Sequence, residues 1–276
     1  MAKNICFITP EIMPFCETST TAKFSRKITA KFHAKEDIEI RLFQPKYGFI
    51  SERKYILREV IRLKDLTIEF DDKPRLTNIK SAFIPETRVQ VYFVQDDDFF
   101  KTLPELIYKA KNGRVYKDNS EKFAFFSKVT IEGLKKLYWK PDYIFCNDWQ
   151  TSFIPSLLNK KKSEDEFYKD MKSVFIIHSI DDYRNYSSNS YRAIGLEPSD
   201  DNDIQDNLKL AMNNADIILL IDNEKDELIN KLNNEKELKE IFDSKNNDII
   251  KITSDAKGRD WREATVAIEN SLKKFE

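Results

Sequence analysis

The sequence has 276 residues, of which 41% are hydrophobic, and its 46 basic and 47 acidic residues leave a formal charge of −1. A chain of this length can bury roughly three-quarters of its unfolded surface, so this composition excludes wholesale disorder. The balanced charge argues against general electrostatic binding to nucleic acid or to an anionic membrane. No apolar run approaches the roughly 20 residues that a membrane-spanning helix needs. We therefore expect neither nucleic acid nor a membrane as a partner.

Short apolar runs alternate with amphipathic segments along most of the chain, and this rhythm predicts strands followed by helices. The predicted strands cover residues 4–9, 38–43, 89–94, 143–146, 173–177 and 216–221. The predicted helices cover residues 18–33, 119–137, 149–159 and 204–214. Strands that alternate with helices favour a parallel, right-handed α/β sheet. We therefore expect a Rossmann-like domain of three layers with a mostly parallel sheet.

Several regions interrupt this rhythm. Residues 56–94 contain short extended segments that predict a meander or hairpin insertion. Residues 159–172 are a charged run, most simply a solvated loop, and residues 181–203 are a long polar loop of the kind that is functional or mobile. Residues 224–276 are charged and largely helical in pattern. We expect one domain over residues 1–223, with 224–276 as a charged helical extension packing on it.

The cysteine and histidine content bears on location and cofactors. The sequence contains two histidines and three cysteines, Cys6, Cys16 and Cys146. An odd number of cysteines, two of them within apolar strands, is typical of reduced thiols in a cytoplasmic protein. Met1 and Ala2 lead towards the first strand without a signal-peptide pattern. The sequence carries no metal-ligand cluster or nucleophilic triad, so we expect no metal site and no cofactor.

Two polar residues stand where predicted strands end. Asp148 follows the strand at residues 143–146, and His178 follows the strand at residues 173–177. Ligands of an open parallel sheet bind in the crevice at the carboxyl ends of its strands, so both residues are candidates for ligand contact. Two alternatives stay open: Asp148 as the cap of the next helix, and His178 as a residue hydrogen-bonded only to a nearby loop.

Residues 118–150 resemble, nearly residue for residue, the corresponding part of the bacterial glycogen and plant starch synthases that use ADP-glucose. Within them, residues 146–151 match a family signature closely. Residues 11–15 match the opening Glu-x-x-Pro-Phe motif, and residues 44–48 resemble the family's Pro-Lys-Tyr-Gly turn. The resemblance extends over about residues 3–223.

The resemblance implies a retaining glucosyltransferase reaction, the transfer of glucose from ADP-glucose to the non-reducing end of an α-1,4-glucan. Family members have two Rossmann-like domains facing a cleft (the GT-B architecture), and this chain resembles the N-terminal, acceptor-side half. By the same resemblance, Asp148 would face the sugar pocket and His178 would contact the transferred glucose, as catalytic residues. The implied ligands are an α-glucan and ADP-glucose. The residues after Asn223 are too few for a donor domain of the family's kind, so the resemblance implies a partner chain that supplies it.

The loop after the first strand departs from the family pattern. Where these synthases carry Lys-x-Gly-Gly, this sequence has Glu17, Thr18, Ser19 and Thr20, which the resemblance places as the donor-phosphate loop. Glycines let the backbone approach a phosphate and the lysine neutralises it, whereas Glu17 would repel a diphosphate. The residues therefore favour a simple helix cap, formed by Thr18 or Ser19, over a working phosphate loop.

Three functions are consistent with these residues. The first is a working glucosyltransferase whose donor domain comes from a partner chain. The second is a non-catalytic relative that serves as a glucan-binding or regulatory protein, and the third is a Rossmann-like nucleotide binder with altered specificity. The changed phosphate loop favours the second for this chain alone and predicts weak or absent ADP-glucose binding. We also expect Asp148 and His178 to share one crevice, with Glu17 at its rim.

Overall fold

The computed structural model describes residues 3–101 and 106–275. Met1 and Ala2, which precede the first strand, lie outside the described residues. The strands are β1 (Lys3–Ile8), β2 (Ile38–Pro45), β3 (Arg58–Glu59), β4 (Leu66–Phe70), β5 (Lys73–Phe83), β6 (Gln90–Gln95), β7 (Tyr143–Asn147), β8 (Lys172–Ile177), β9 (Asn185–Ser187), β10 (Ile204–Asp206), β11 (Ile217–Asp222) and β12 (Asn247–Lys251).

The central sheet is mostly parallel. Strands β12, β11, β8, β7, β1, β2 and β6 lie side by side in that order and run in one direction. β5 continues the sheet antiparallel to β6, and β3 and β4 pair antiparallel with β5, as expected for the predicted insertion. β9 and β10 form a separate small antiparallel pair. The predicted fold class is confirmed, as is each parallel strand that the sequence predicts.

Helices cover both faces of the sheet and complete the three layers. They are α1 (Thr20–His33), α2 (Glu52–Tyr55), α3 (Asn119–Lys136), α4 (Ile154–Glu164), α5 (Ser188–Ala193), α6 (Asn207–Asn214), α7 (Glu227–Asn234), α8 (Lys236–Ser244) and α9 (Gly258–Lys274). α1 packs against α9, while α3 packs against α4 and α4 against α6. Since parallel crossovers are right-handed and the chain leaves β1 towards β2 but β7 towards β8, α1 and α4 lie on opposite faces.

The parallel strands are recognisable in sequence because both of their faces are covered. In β7 all five residues are buried, and in β1 the last four residues are buried. Strands of this kind need apolar residues at nearly every position, without the alternation of a half-exposed strand. Because the strands are parallel, the residues that follow β1, β7, β8, β11 and β12 meet at one edge of the sheet, the carboxyl edge.

Two predicted boundaries were wrong. Much of the loop predicted at residues 159–172 is helical, because α4 continues to Glu164. Lysine is a strong helix former, so a charged run can extend a helix whose buried face has already been supplied by earlier residues. The helix predicted at residues 204–214 begins only at Asn207, where the Asp206 side chain accepts hydrogen bonds from two backbone N–H groups of the first turn.

Short elements occur where the sequence shows no period. The segment 181–203 contains β9 and α5, whose N-cap is Ser187. The segment 224–276 contains α7, α8 and α9, but also β12, which extends the sheet beside β11. An edge strand of five residues with a single buried position carries too little apolar pattern to be predicted within a charged segment.

Candidate functional site

Asp148 and His178 are neighbours at the carboxyl edge of the sheet. Asn147 at the end of β7 is in register with Ile176 of β8, and the Asp148 N–H donates to the Ile176 carbonyl at 2.8 Å. The Asp148 carboxylate then accepts the backbone N–H of His178 at 3.1 Å and that of Ser179 at 3.2 Å. The Ser179 hydroxyl donates to the same carboxylate at 3.0 Å. Asp148 therefore holds the loop that follows β8.

The backbone and the charge of Asp148 are both perturbed. Its φ of 67° and ψ of 178° lie in a region that is populated almost only by glycine. Burial raises the pKa of its carboxyl group to about 7, and the hydrogen bonds from His178 and Ser179 oppose that rise. The carboxylate turns to the β8 loop and not to the helical turn that follows it, so it does not act as the helix cap considered above. It also lies beneath that loop and does not face an open pocket.

His178 is a neutral ring with a fixed tautomer. Its Nε2 lies 2.8 Å from Oδ1 of Asn147, whose Nδ2 is bonded to the hydroxyls of Thr9 at 3.2 Å and Ser25 at 3.1 Å. Because Oδ1 can only accept, Nε2 carries the proton and Nδ1 remains an acceptor. Burial lowers the pKa of His178 to about 3, and the ring packs edge-on against Phe24 at 4.5 Å. His178 can accept a hydrogen bond from a hydroxyl group but offers no positive charge to a phosphate.

The loop at residues 17–20 is held by a second buried carboxylate, that of Glu11. It accepts the backbone N–H of Thr18 at 2.5 Å, the Thr18 hydroxyl at 2.9 Å and the hydroxyl of Ser19. Ser19 is also the N-cap of α1, as the sequence predicts, and its oxygen accepts from the Thr21 N–H at 3.2 Å. Burial raises the pKa of Glu11, against these hydrogen bonds. Donors that could face an anion are therefore directed to a residue of the same chain.

A crevice of about 440 Å³ opens at this edge of the sheet. Thr20, Lys23 and His178 line it from one side, and Trp261 of α9 lines it from another, with the Lys23 ammonium 5.9 Å from the Trp261 ring centroid. Glu17 is exposed and stands outside this lining, so the structure places Thr20 and His178 in one cavity and leaves Glu17 and Asp148 out of it. The catalytic and donor-binding roles of these residues remain predictions.

A second cavity, which we call the aromatic groove, was not predicted from the sequence. It has a volume of about 740 Å³ and is lined by Tyr108, Tyr116 and Tyr183. Trp149 lies behind it, with its ring 5.6 Å from that of Tyr108 and 6.0 Å from that of Tyr183. Tyr108 and Tyr183 are themselves 5.0 Å apart. The tyrosines of the polar loop at residues 181–203 were the available signal, but nothing local to them predicts their meeting with Tyr108.

The aromatic groove also contains an unsatisfied polar atom. Asn119 at the start of α3 lines it, and its Nδ2 donates to the Tyr108 carbonyl at 2.8 Å, which fixes the orientation of the amide. Its Oδ1 is buried and has no hydrogen-bond partner among the residues that the structure describes. Such an acceptor costs roughly 1–3 kcal/mol unless a ligand or water satisfies it. The wall of the groove therefore contains a buried acceptor without a partner.

Other kinds of site are not found over residues 3–101 and 106–275. No group of three or more His, Cys, Asp or Glu side chains there is arranged to hold a metal ion. No helix in the same residues is long and apolar enough to cross a membrane. The three cysteines are free thiols and all are buried.

The fold and its site define a class of protein. The mostly parallel sheet has the fold of a GT-B glycosyltransferase domain: 92% of this chain superposes on 52% of the catalytic domain of starch synthase IV from Arabidopsis thaliana, bound to ADP and acarbose. The TM-score is 0.70 and the sequence identity 19%. The family model of the starch synthase catalytic domain matches residues 4–243. The chain belongs to this glycogen and starch synthase family.

Individual relatives agree with the family assignment. The glycogen synthase of Pelodictyon phaeoclathratiforme is 35% identical over 177 residues, which are 64% of this chain and 36% of that protein. The glycogen synthase of Chlorobium phaeobacteroides is 36% identical over the same shares of the two chains. The chain thus spans about a third of the length of the curated relatives it matches.

Proposed function

We propose that this chain is an acceptor-side, glycogen synthase-like domain that binds α-glucan in the aromatic groove and does not by itself transfer glucose from ADP-glucose. The observation that carries the proposal is the contrast between two neighbouring sites. The groove is open and aromatic, whereas the hydrogen-bond donors of the loop at Thr18 and Ser19 are taken up by Glu11. We further propose a cytoplasmic location, which the buried free thiols support.

The aromatic groove suits a glucan for two physical reasons. Tyr108, Tyr116 and Tyr183 present flat apolar rings with polar tips, which can pack against the apolar face of a sugar while their hydroxyls meet its rim. Asn119 lies in the wall of the groove, where a change of its rotamer would bring its unpaired Oδ1 to a sugar hydroxyl. A cavity with aromatic walls and a few convergent polar groups is the usual form of a small-ligand site.

The donor side lacks the features that a nucleotide diphosphate requires. Leaving-group charge in glycosyl transfer must be held by cations or by preorganised N–H groups. Here the Thr18 N–H and the Ser19 hydroxyl are bonded to Glu11, and the exposed charged residue beside Thr18 is Glu17. Lys23 lies on α1 against Trp261, where it offers a point charge without a backbone cradle. Transfer by this domain would therefore need a donor domain that supplies the cationic groups.

Glucan binding is tested by calorimetric titration with maltoheptaose. We expect saturable binding by the wild-type chain and a roughly tenfold weaker affinity for Tyr183→Ala, since about 1.4 kcal/mol of lost aromatic contact corresponds to that factor. Tyr138→Ala is the matched control, because Tyr138 is 81% exposed and is not among the groove residues. An unchanged affinity in Tyr183→Ala, or no binding by the wild type, would refute glucan binding in the groove.

A second candidate function is a glucosyltransferase completed by a donor domain on another polypeptide. The pairing of Asp148 with the loop of His178 supports it, since both residues follow the strands whose ends the resemblance expects near the transferred sugar. The test is ADP release from ADP-glucose with a glucan primer, by the purified chain and after addition of cell extract. We expect the purified chain alone to release none and to show no saturable heat with millimolar ADP-glucose. A micromolar dissociation constant for the chain alone would return the transferase to first place.

A further inference from the structure

Two lysines on the wall of the aromatic groove supply positive charge that a neutral glucan does not require. The Lys109 ammonium lies 5.2 Å from the ring centroid of Tyr108 and 5.6 Å from that of Tyr183. Lys117 lines the same cavity from the other arm of the loop. Within residues 3–101 and 106–275, neither ammonium is paired with a carboxylate. Most other lysines of the groove's surroundings, such as Lys122 and Lys231, do have such a partner.

The backbone holds both lysines at the groove. Residues 108–116 form a hairpin in which the Tyr116 N–H donates to the Tyr108 carbonyl at 3.0 Å and the Ala110 N–H donates to the Arg114 carbonyl at 2.8 Å. Lys109 stands opposite Val115 in this hairpin, and Lys117 follows two residues after Val115. The hydrogen bonds that place Tyr108 and Tyr116 therefore also place the backbone of Lys109, and Lys117 follows directly after the hairpin.

The facing wall carries acidic residues, but their charge is partly neutralised. Asp181 and Asp182 line the groove across from the lysines. The Asp181 carboxylate is bonded to the Lys231 ammonium at 3.2 Å. Among the residues that the structure describes, this leaves an uneven distribution, with two unpaired lysines, Lys109 and Lys117, and one unpaired carboxylate, Asp182, in the lining of the groove. A ligand that bears a single anionic group fits such a groove if the group is directed to the hairpin.

We propose that the aromatic groove prefers glucan chains carrying a phosphate ester, with the sugar rings on Tyr108 and Tyr183 and the phosphate at Lys109 and Lys117. The inference rests on the proposed glucan binding and adds the substrate class. A phosphate monoester has three acceptor oxygens and close to two negative charges at neutral pH, which complement two ammonium groups. The cation–π contacts of Lys109 leave its ammonium at the surface of the rings, where a phosphate on a stacked glucose would meet it.

The experiment compares maltooligosaccharides of equal length with and without one 6-phosphate ester, titrated against the full chain. We expect the phosphorylated form to bind roughly fivefold more tightly, the factor that a partly exposed ion pair of about 1 kcal/mol provides. In Lys109→Gln the ratio of the two dissociation constants should fall towards one. Lys27→Gln, an exposed lysine on α1, is the matched control and should keep the full ratio. The preference should also weaken as salt is raised, because exposed charges are screened.

The outcomes separate this inference from the function on which it rests. Equal binding of both oligosaccharides by the wild type overturns the phosphate preference and leaves glucan binding intact. Failure of both to bind overturns glucan binding and the preference together. Inorganic phosphate is titrated as a further ligand, and if it binds as tightly as the phosphorylated oligosaccharide, the lysines form a free-anion site and not a phosphoglucan site. A ratio that persists in Lys109→Gln assigns the preference to other residues and overturns the inference.

Discussion

Two buried carboxylates hold loops at the carboxyl edge of the sheet, and they differ in what each leaves exposed. Glu11 accepts hydrogen bonds from Thr18 and Ser19, in the loop between β1 and α1. Asp148 accepts them from His178 and Ser179, in the loop after β8. Burial raises the pKa of both carboxyl groups. The local chemistry of the two loops is therefore nearly the same.

The two loops differ in their surroundings. The residue after Asp148 is Trp149, which backs the aromatic groove, so the carboxylate supports a surface that stays open to a ligand. Glu11 instead accepts from donors of the loop itself, and Glu17 of the same loop is exposed. A buried carboxylate can therefore either support an open surface from below or take up the hydrogen-bond donors of that surface. Measurements on each loop can test whether this difference is real.

The largest expected effect is on stability at Asp148. Asp148→Ala removes the acceptor for two N–H groups and a hydroxyl while keeping a side chain at a glycine-like φ, and should cost about 3 kcal/mol or more. Asp148→Gly loses the same acceptor but relieves the backbone strain, so it should be more stable than the alanine variant by about 1–3 kcal/mol. Urea unfolding of the two variants gives the difference.

Asp216 provides the control for that comparison. Its carboxylate also accepts a backbone N–H and a hydroxyl, both from Ser173, but at the start of β8. Asp216 is not among the residues with positive φ, so Asp216→Gly should be no more stable than Asp216→Ala. If glycine is not better than alanine at position 148 either, the strain assigned to Asp148 does not exist.

The next effect is the pH dependence contributed by His178. Its folded pKa of about 3 lies below the usual value, so its contribution to stability is present above about pH 6.5 and is lost as the pH falls towards 3. Asp148 acts in the opposite sense, because its raised folded pKa gives a contribution that is lost as the pH rises from 4 to about 7. The two slopes offset each other in the wild type.

Replacing His178 by a neutral residue separates its contribution to the pH dependence of stability from that of Asp148. His178→Asn can still donate to Asn147, and relative to the wild type it should gain about 3 kcal/mol of stability between pH 7 and pH 4. The measurement is urea unfolding at several pH values, with the same substitution at the other histidine, His33→Asn, for comparison. Parallel curves for the wild type and His178→Asn would show that His178 is not held neutral in the folded state.

The fold was accessible to sequence reasoning because its main elements carry strong patterns. The strand at residues 143–146 is apolar throughout, since β7 is covered on both faces, and the helix at residues 119–137 shows apolar residues at helical spacing. β9, β10 and β12 were missed because three to five residues hold no period that distinguishes a strand from a loop.

The sequence predicts only those parts of the site that follow from the order and direction of the strands. Asp148 and His178 each follow a parallel strand, which is enough to predict that they meet. The Asp148 carboxylate points to the β8 loop because the residue has an unusual φ. An aspartate in the sequence does not predict such a φ, so this hydrogen bond was not predicted. The aromatic groove was missed because Tyr108 and Tyr183 belong to separate irregular segments, and their meeting is a property of the tertiary structure.

The smallest expected effect concerns the charge of Glu17. Glu17→Lys replaces repulsion of a diphosphate by attraction, which near an exposed surface is worth about 1 kcal/mol, or roughly fivefold in affinity. The gain should stop there, because Glu11 still holds the Thr18 N–H and the Ser19 hydroxyl, and the backbone has no glycine with which to approach the phosphates. Ligand-observed NMR at low salt can compare ADP-glucose binding in this range. Glu36→Lys, the same charge change at an exposed position after α1, controls for the general field of the protein. A micromolar dissociation constant for Glu17→Lys alone would mean that the loop retains its cradle, and that the two carboxylates do not divide the edge of the sheet into an open and an occupied site.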